Sequence, residues 1–161
     1  MRALIGLLKL FKLSLNLLAK LMALGPSEVF LSHSSLDRQF ATEIAELLRV
    51  HGIPRWYSQV NILGAQQWHD EIGAALRRCD WLIVLLSPNS VDSIWVKREV
   101  LFALNDHRYA ERIVPVLYQE CDYDQLSWTL SLLQIVDFTH GFDEGCRALL
   151  RVWGIGYRTV E

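Results

Sequence analysis

Trp81-Leu-Ile-Val-Leu-Leu86 is an unbroken apolar run, stopped by the turn residues Ser87-Pro-Asn-Ser90. A run of that length with such a boundary reads as a strand buried on both faces. Strands of that kind belong to parallel sheets covered by helices on each side. Outward from this strand the chain alternates. Glu28-Val-Phe-Leu-Ser32 reads as a first strand, and Phe40, Ile44, Leu47 and Leu48 mark a helix that Gly52 closes. Arg55-Trp-Tyr-Ser58 is a short second strand, and Trp68, Ile72, Ala75, Leu76 and Cys79 form the next helical stripe. After the central strand comes a helix through Glu99, then a fourth strand, Ile113-Val-Pro-Val-Leu-Tyr118. Pro115 within it calls for a bulge or an unpaired donor. A short helix over residues 123–132, a fifth strand over 133–138 and a closing helix over 142–153 complete the pattern.

Five short apolar strands separated by helices predict an α/β fold: a flavodoxin-like, five-stranded parallel sheet with helices on both faces. The expected strand order is 2-1-3-4-5, and ligands bind such sheets at the carboxyl ends of the strands where the order reverses. Here that point lies between strands one and three, so the expected cleft combines His33–Ser35 with Ser87–Glu99.

The domain spans residues 27–157, with a tail of 158–161 and a separate segment, 1–26, before it. Residues 1–27 carry Arg2, Lys9, Lys12 and Lys20 and no acid, a charge of +4; the remainder carries 12 basic and 18 acidic side chains, a charge of −6. An acidic domain does not bind nucleic acid through a basic surface. Lys9, Lys12, Asn16 and Lys20 recur at helical spacing among leucines, which predicts a cationic amphipathic helix. The lysines leave no stretch long enough to cross a bilayer. Three uses of this helix stay open: lying on an anionic membrane surface, self-association, and packing on the domain. Cys79, Cys121 and Cys146 are odd in number and share no metal-ligand spacing with the histidines. A reducing, cytoplasmic location is the simplest expectation, with membrane association left to residues 1–24.

Dinucleotide-binding glycine motifs, phosphate-binding Walker loops and nucleophile elbows are all missing from the sequence. The informative residues lie in Ser90-Val-Asp-Ser-Ile-Trp-Val-Lys-Arg-Glu99. Residues four apart share a helix face, so Trp95 sits beside Glu99, with Phe102 continuing the stripe. A carboxylate between two aromatics is partly desolvated, which raises its pKa. A solvated glutamate on a helix flank is the plainer alternative. Ser34 and Asp37 match a capping box, placing the start of the first helix at Ser34. Ser34, Ser35 and the free amides there also suit a phosphate. Ile62 and Leu63 give the loop Val60–Gln67 an apolar character that fits a ligand cover or a partner surface. Trp68 at its end serves equally as a core residue.

Taken together, Val29-Phe-Leu-Ser-His-Ser-Ser35, Ile53-Pro-Arg-Trp-Tyr57, Ile83-Val-Leu-Leu-Ser-Pro-Asn-Ser90 and Ser93-Ile-Trp-Val-Lys-Arg-Glu99 resemble the Toll/interleukin-1 receptor (TIR) domain of the bacterial type, from about Glu28 to Ile155. Many such domains cleave the nicotinamide–ribose bond of NAD+, releasing nicotinamide with ADP-ribose or a cyclic ADP-ribose. The resemblance implies that Glu99 is the catalytic glutamate, with Trp95 the aromatic before it and Ser34 and Ser35 at the substrate site. Trp68 and Trp95 are then placed to stack on nicotinamide or shield it. NAD+ is substrate, and no metal or other cofactor is implied. The resemblance also implies a homo-oligomer or filament in which the loop Val60–Gln67 of one domain completes its neighbour's site, in antiviral or cell-death signalling. A non-catalytic TIR–TIR scaffold or adaptor is the alternative. Two positions depart from the family: Ser58 stands where an acid usually follows the Trp-Tyr pair, and Gly64-Ala65 where Pro-Gly is common.

Overall fold

A computed structural model describes residues 25–57 and 65–159, except the side chains of Ala65, Gln66 and Trp68. The expectations for residues 1–24, for Ser58 and for most of the loop Val60–Gln67 lie outside the described residues.

The sheet has five strands in the order β2-β1-β3-β4-β5, every pairing parallel. The strands are β1 (Val29–Ser32), β2 (Arg55–Trp56), β3 (Trp81–Leu86), β4 (Ile113–Leu117) and β5 (Val136–Asp137). The helices are α1 (Arg38–Val50), α2 (Ala65–Arg78), α3 (Pro88–Val91), α4 (Ile94–Asn105) and α5 (Phe142–Arg151). Side chains alternate across the sheet with the period of two that a strand imposes. Val29, Leu31, Ile83, Leu85, Val114 and Val116 join the core under α1 and α5. Phe30, Leu82, Val84, Leu86 and Leu117 join the opposite core under α2 and α4. The last residue of β1, Ser32, is therefore carried on the α4 side.

β4 resolves the question of Pro115. Its register with β3 runs unbroken from Leu82↔Ile113 to Leu86↔Leu117, without a bulge. The Leu82 amide bonds to the Arg112 carbonyl and the Tyr118 amide to the Leu86 carbonyl, so even-numbered residues face β3. Odd-numbered residues face β5, which pairs only with Val116 and Leu117. The ring nitrogen of Pro115 thus points where the ladder needs no donor.

Three expected elements are shorter or tighter. Residues 123–132 form two 3-10 turns, Tyr123–Gln125 and Trp128–Leu132, because Ser127 accepts from the Thr129 amide and restarts the chain between them. The fifth strand keeps only two residues, as an edge strand with one neighbour. α1 begins at Arg38 after a 3-10 turn, Ser35–Asp37, and ends before Gly52, whose φ of +72° is the left-handed conformation that glycine adopts freely.

Candidate functional site

Glu99 lies at the carboxyl end of the sheet, where the order of the strands reverses. α4 starts at the cap Ser93, whose hydroxyl accepts from the Val96 amide at 3.4 Å, so Trp95 occupies the first turn and Glu99 the next. Val96, Val100 and Ala103 pin this helix to β1 and β3. Glu99 is drawn into that packed face and is only 7% exposed. Sequence spacing puts it on a flank; the structure buries it further than the two neighbouring aromatics, Trp95 and Phe102, which are half-buried.

Its partner comes from another element. Ser32 Oγ donates to Glu99 Oε2 at 2.5 Å, across 67 residues of sequence. Burial pushes the Glu99 carboxyl up to about 8, even though the Ser32 hydroxyl pulls the other way. A carboxyl that exchanges its proton near neutral pH, in a cleft, is a signature of a functional site.

Trp95 is braced from two sides. The ring of His69, on α2, meets it edge-on at 5.7 Å, and the Arg98 guanidinium lies over the indole at 5.1 Å. The first turns of α2 therefore close over the Trp95 end of the cleft. Trp68 is on the same turn as His69, with its side chain outside the described set.

Ser34 and Asp37 do not form the expected capping box. Ser34 is buried and accepts from the Leu36 amide at 3.4 Å, capping the 3-10 turn rather than α1. Asp37 turns away to the segment after β3, accepting from Ser87 Oγ at 2.5 Å and Asn89 Nδ2 at 2.7 Å. The reason is its burial: a carboxylate that is 4% exposed needs donors on both oxygens. Ser87 is also the cap of α3, in a reciprocal box with Ser90 that has Pro88 at the first helical position. Asp37 thus staples the turn after β1 to the turn after β3, the two rims of the cleft. Ser35 is exposed on the first rim. His33 stands beside it, its ring 6.1 Å from that of Tyr57, and desolvation lowers its pKa.

Ser32, Asp37 and His69 are the residues that sequence reasoning misses as site components. The signal for Ser32 is a hydroxyl ending a strand whose other residues are all apolar. A separate groove of about 570 Å³ runs along the outer side of α4, lined by Arg98, Leu101, Phe102 and Asn105, and does not include Glu99. Among the described residues, no helix is long and apolar enough to cross a membrane.

Comparison with known proteins bears on the family and the fold. NAD(+) hydrolase TirS from Staphylococcus aureus is 31% identical over 90 residues, which are 54% of this chain and 31% of that protein. The 2' cyclic ADP-D-ribose synthase AbTIR of Acinetobacter baumannii is 26% identical over 110 residues, 65% of this chain and 40% of that protein. The chain spans between about a quarter and two fifths of the length of the curated relatives it matches. Among solved structures, the TIR domain of the Toll-related receptor TRR-2 from Hydra magnipapillata superposes with a TM-score of 0.58 at 18% identity, covering 76% of this chain and 87% of that one. A TIR-STING receptor from C. gigas, in complex with 2',3'-cGAMP, gives 0.63 at 23% identity, covering 80% and 39%. These two likenesses speak for the fold. The family profile described as TIR domain matches residues 29–150, from the first residue of β1 into α5, and with that match the chain belongs to the TIR domain family.

Proposed function

We propose that this protein cleaves the nicotinamide–ribose bond of NAD+, releasing nicotinamide together with ADP-ribose or a cyclic ADP-ribose. The observation that carries this reading is Glu99: a carboxyl buried at the strand-order reversal, one helical turn from Trp95. The relatives named as an NAD(+) hydrolase and as cyclic ADP-ribose synthases support it.

The chemistry asks little beyond these residues. Breaking the bond leaves an oxocarbenium-like ribose, as in glycoside cleavage. Nicotinamide departs from a cationic ring, so its nitrogen needs no proton. One ionised carboxylate, aimed at the ribose in a dry site, stabilises the positive charge that develops at the anomeric carbon. Burial favours the protonated form of Glu99 in the free protein. The positive nicotinamide ring of a bound substrate favours the ionised form, so arrival of substrate itself charges the catalytic group. Trp95 is assigned as the aromatic wall, and Trp68 is assigned to stack on nicotinamide or shield it. Ser34 and Ser35 are assigned to the ribose or phosphates from the rim after β1.

In this reading activity depends on self-assembly, with the loop Val60–Gln67 of one copy completing the site of the next, and the product acts in immune or cell-death signalling. Nicotinamide release by the full chain, across a protein concentration series and beside Glu99→Ala, tests the proposal. Release that climbs steeply with concentration and disappears in the variant is expected. No release at any concentration, with crowding agent or lipid present, would instead favour a non-catalytic scaffold.

A further inference from the structure

Glu99 has a single hydrogen-bond partner among the described residues, and that partner is not on its own helix. The terminal torsion of a glutamate is broad and roughly two-fold, so a carboxyl without a donor samples many orientations. Ser32 removes this freedom. It is 1% exposed and ends β1, which is paired on one side with β2 and on the other with β3. At Ser32 itself the register partner is Val84 of β3, so its hydroxyl is carried on a buried, paired strand backbone.

We propose that Ser32 is the positioning residue of this site, holding Oε2 of Glu99 so that Oε1 is the oxygen offered to the substrate ribose. The inference rests on the NAD+-cleaving reading above. Stability alone does not account for the pair. Two buried polar groups that satisfy each other contribute little more than apolar groups of the same shape. The surrounding core, Phe30, Val84, Leu86, Val96 and Val100, shows that such groups are readily accommodated there. What the hydroxyl adds is direction, together with a charge-assisted bond that strengthens as the carboxyl ionises.

The other titratable groups on the surrounding elements are His33, Asp37 and Arg38 in and after the turn that follows Ser32, His69, Asp70, Glu71, Arg77 and Arg78 on α2, Asp92 ahead of α4, and Lys97 and Arg98 on α4 itself. None of them contributes to the displaced titration of Glu99, whose causes are burial and the Ser32 bond. Removing the hydroxyl therefore has a defined sign: the carboxyl loses the one group among the described residues that favours its ionised form.

The test compares wild type, Ser32→Ala and Ser32→Thr in the full chain. Glutamate labelled with 13C at the carboxyl carbon reports the titration of Glu99 by NMR, and nicotinamide release reports kcat and KM across pH. In Ser32→Ala the Glu99 midpoint moves up by about one pH unit. The acid limb of the rate profile moves with it, and kcat falls about tenfold or more while KM changes little. Ser32→Thr, which keeps the hydroxyl, recovers both. Ser32→Cys, close in volume and a far weaker donor, serves in place of alanine if that variant does not fold. An unmoved midpoint with unchanged kcat overturns the proposal, and so do equal losses in the alanine and threonine variants, which mean packing alone. If wild type leaves NAD+ intact at every pH, the function proposed above fails separately. The Glu99 midpoint then still decides the contact: a shift in Ser32→Ala upholds it and no shift overturns it.

Discussion

Asp37 and Glu99 are both carboxylates buried at the carboxyl end of the sheet, 4% and 7% exposed, yet they are provided for very differently. Asp37 receives a donor on each oxygen, Ser87 Oγ on one and Asn89 Nδ2 on the other, and ties two loops together. Glu99 receives one hydroxyl among the described residues and is pushed up to about 8 by its burial. A buried acid whose hydrogen bonds are satisfied holds structure in place. A buried acid left short of donors stores electrostatic free energy that substrate binding can release. The contrast predicts that removing Glu99 costs chemistry and removing Asp37 costs stability.

The largest expected effect is on turnover in Glu99→Gln. Loss of a group that stabilises transition-state charge costs about 10²–10³ in kcat or more, and nicotinamide release measures it. A Gln variant keeping even a tenth of wild-type activity would break the comparison, because the carboxylate would then have no special role. Next is Asp37→Ala, which strands the Ser87 hydroxyl and the Asn89 amide. Hydrogen bonds to a charged group contribute about 1.5–3 kcal/mol each, so urea unfolding should show a loss of about 2–4 kcal/mol, with turnover per folded molecule changed far less than in Glu99→Gln.

A third prediction concerns pH. The folded-state pKa of Glu99 lies above its ordinary value of 4.5. Between the two, the native protein keeps a proton that the unfolded chain has lost, so stability falls as pH rises from about 4.5 to about 8 and is level beyond. Glu99→Gln abolishes this component. Thermal unfolding of the two proteins at pH 5 and pH 8.5 should show Glu99→Gln gaining on wild type at the higher pH. Equal differences at both pH values would mean that the carboxyl is better solvated than its burial indicates.

What was legible in the sequence follows from how local each interaction is. The apolar run of β3, the helical stripes and the i, i+4 pair Trp95–Glu99 are periodic features, visible without partners. The strand order followed from the alternation of elements and is as expected. Contacts across the sheet left no such mark. Ser32 looks like the polar end of a strand until α4 brings Glu99 over it. Asp37, three residues after Ser34, reads as its capping partner, whereas burial sends it 50 residues away to Ser87. His69 finds Trp95 only because α2 and α4 share a face of the sheet.

The smallest effect sharpens the comparison from the aromatic side. Arg98 is exposed and lies over one face of the Trp95 ring, a geometry that contributes about 0.5–1 kcal/mol at an exposed site. Arg98→Ala should therefore lower stability by no more than that. The same cation excludes a second one from that indole face, so under the proposed function a positively charged nicotinamide ring that uses this face must displace Arg98. If displacement operates, Arg98→Ala lowers KM for NAD+ by about threefold or less and leaves kcat unchanged, since a contact outside the reacting atoms changes uniform binding. If nicotinamide does not meet this face, KM is unmoved. A kcat loss approaching that of Glu99→Gln would instead give Arg98 a direct share in the chemistry, and the reactive site would then extend outward along α4 beyond the Ser32–Glu99 pair.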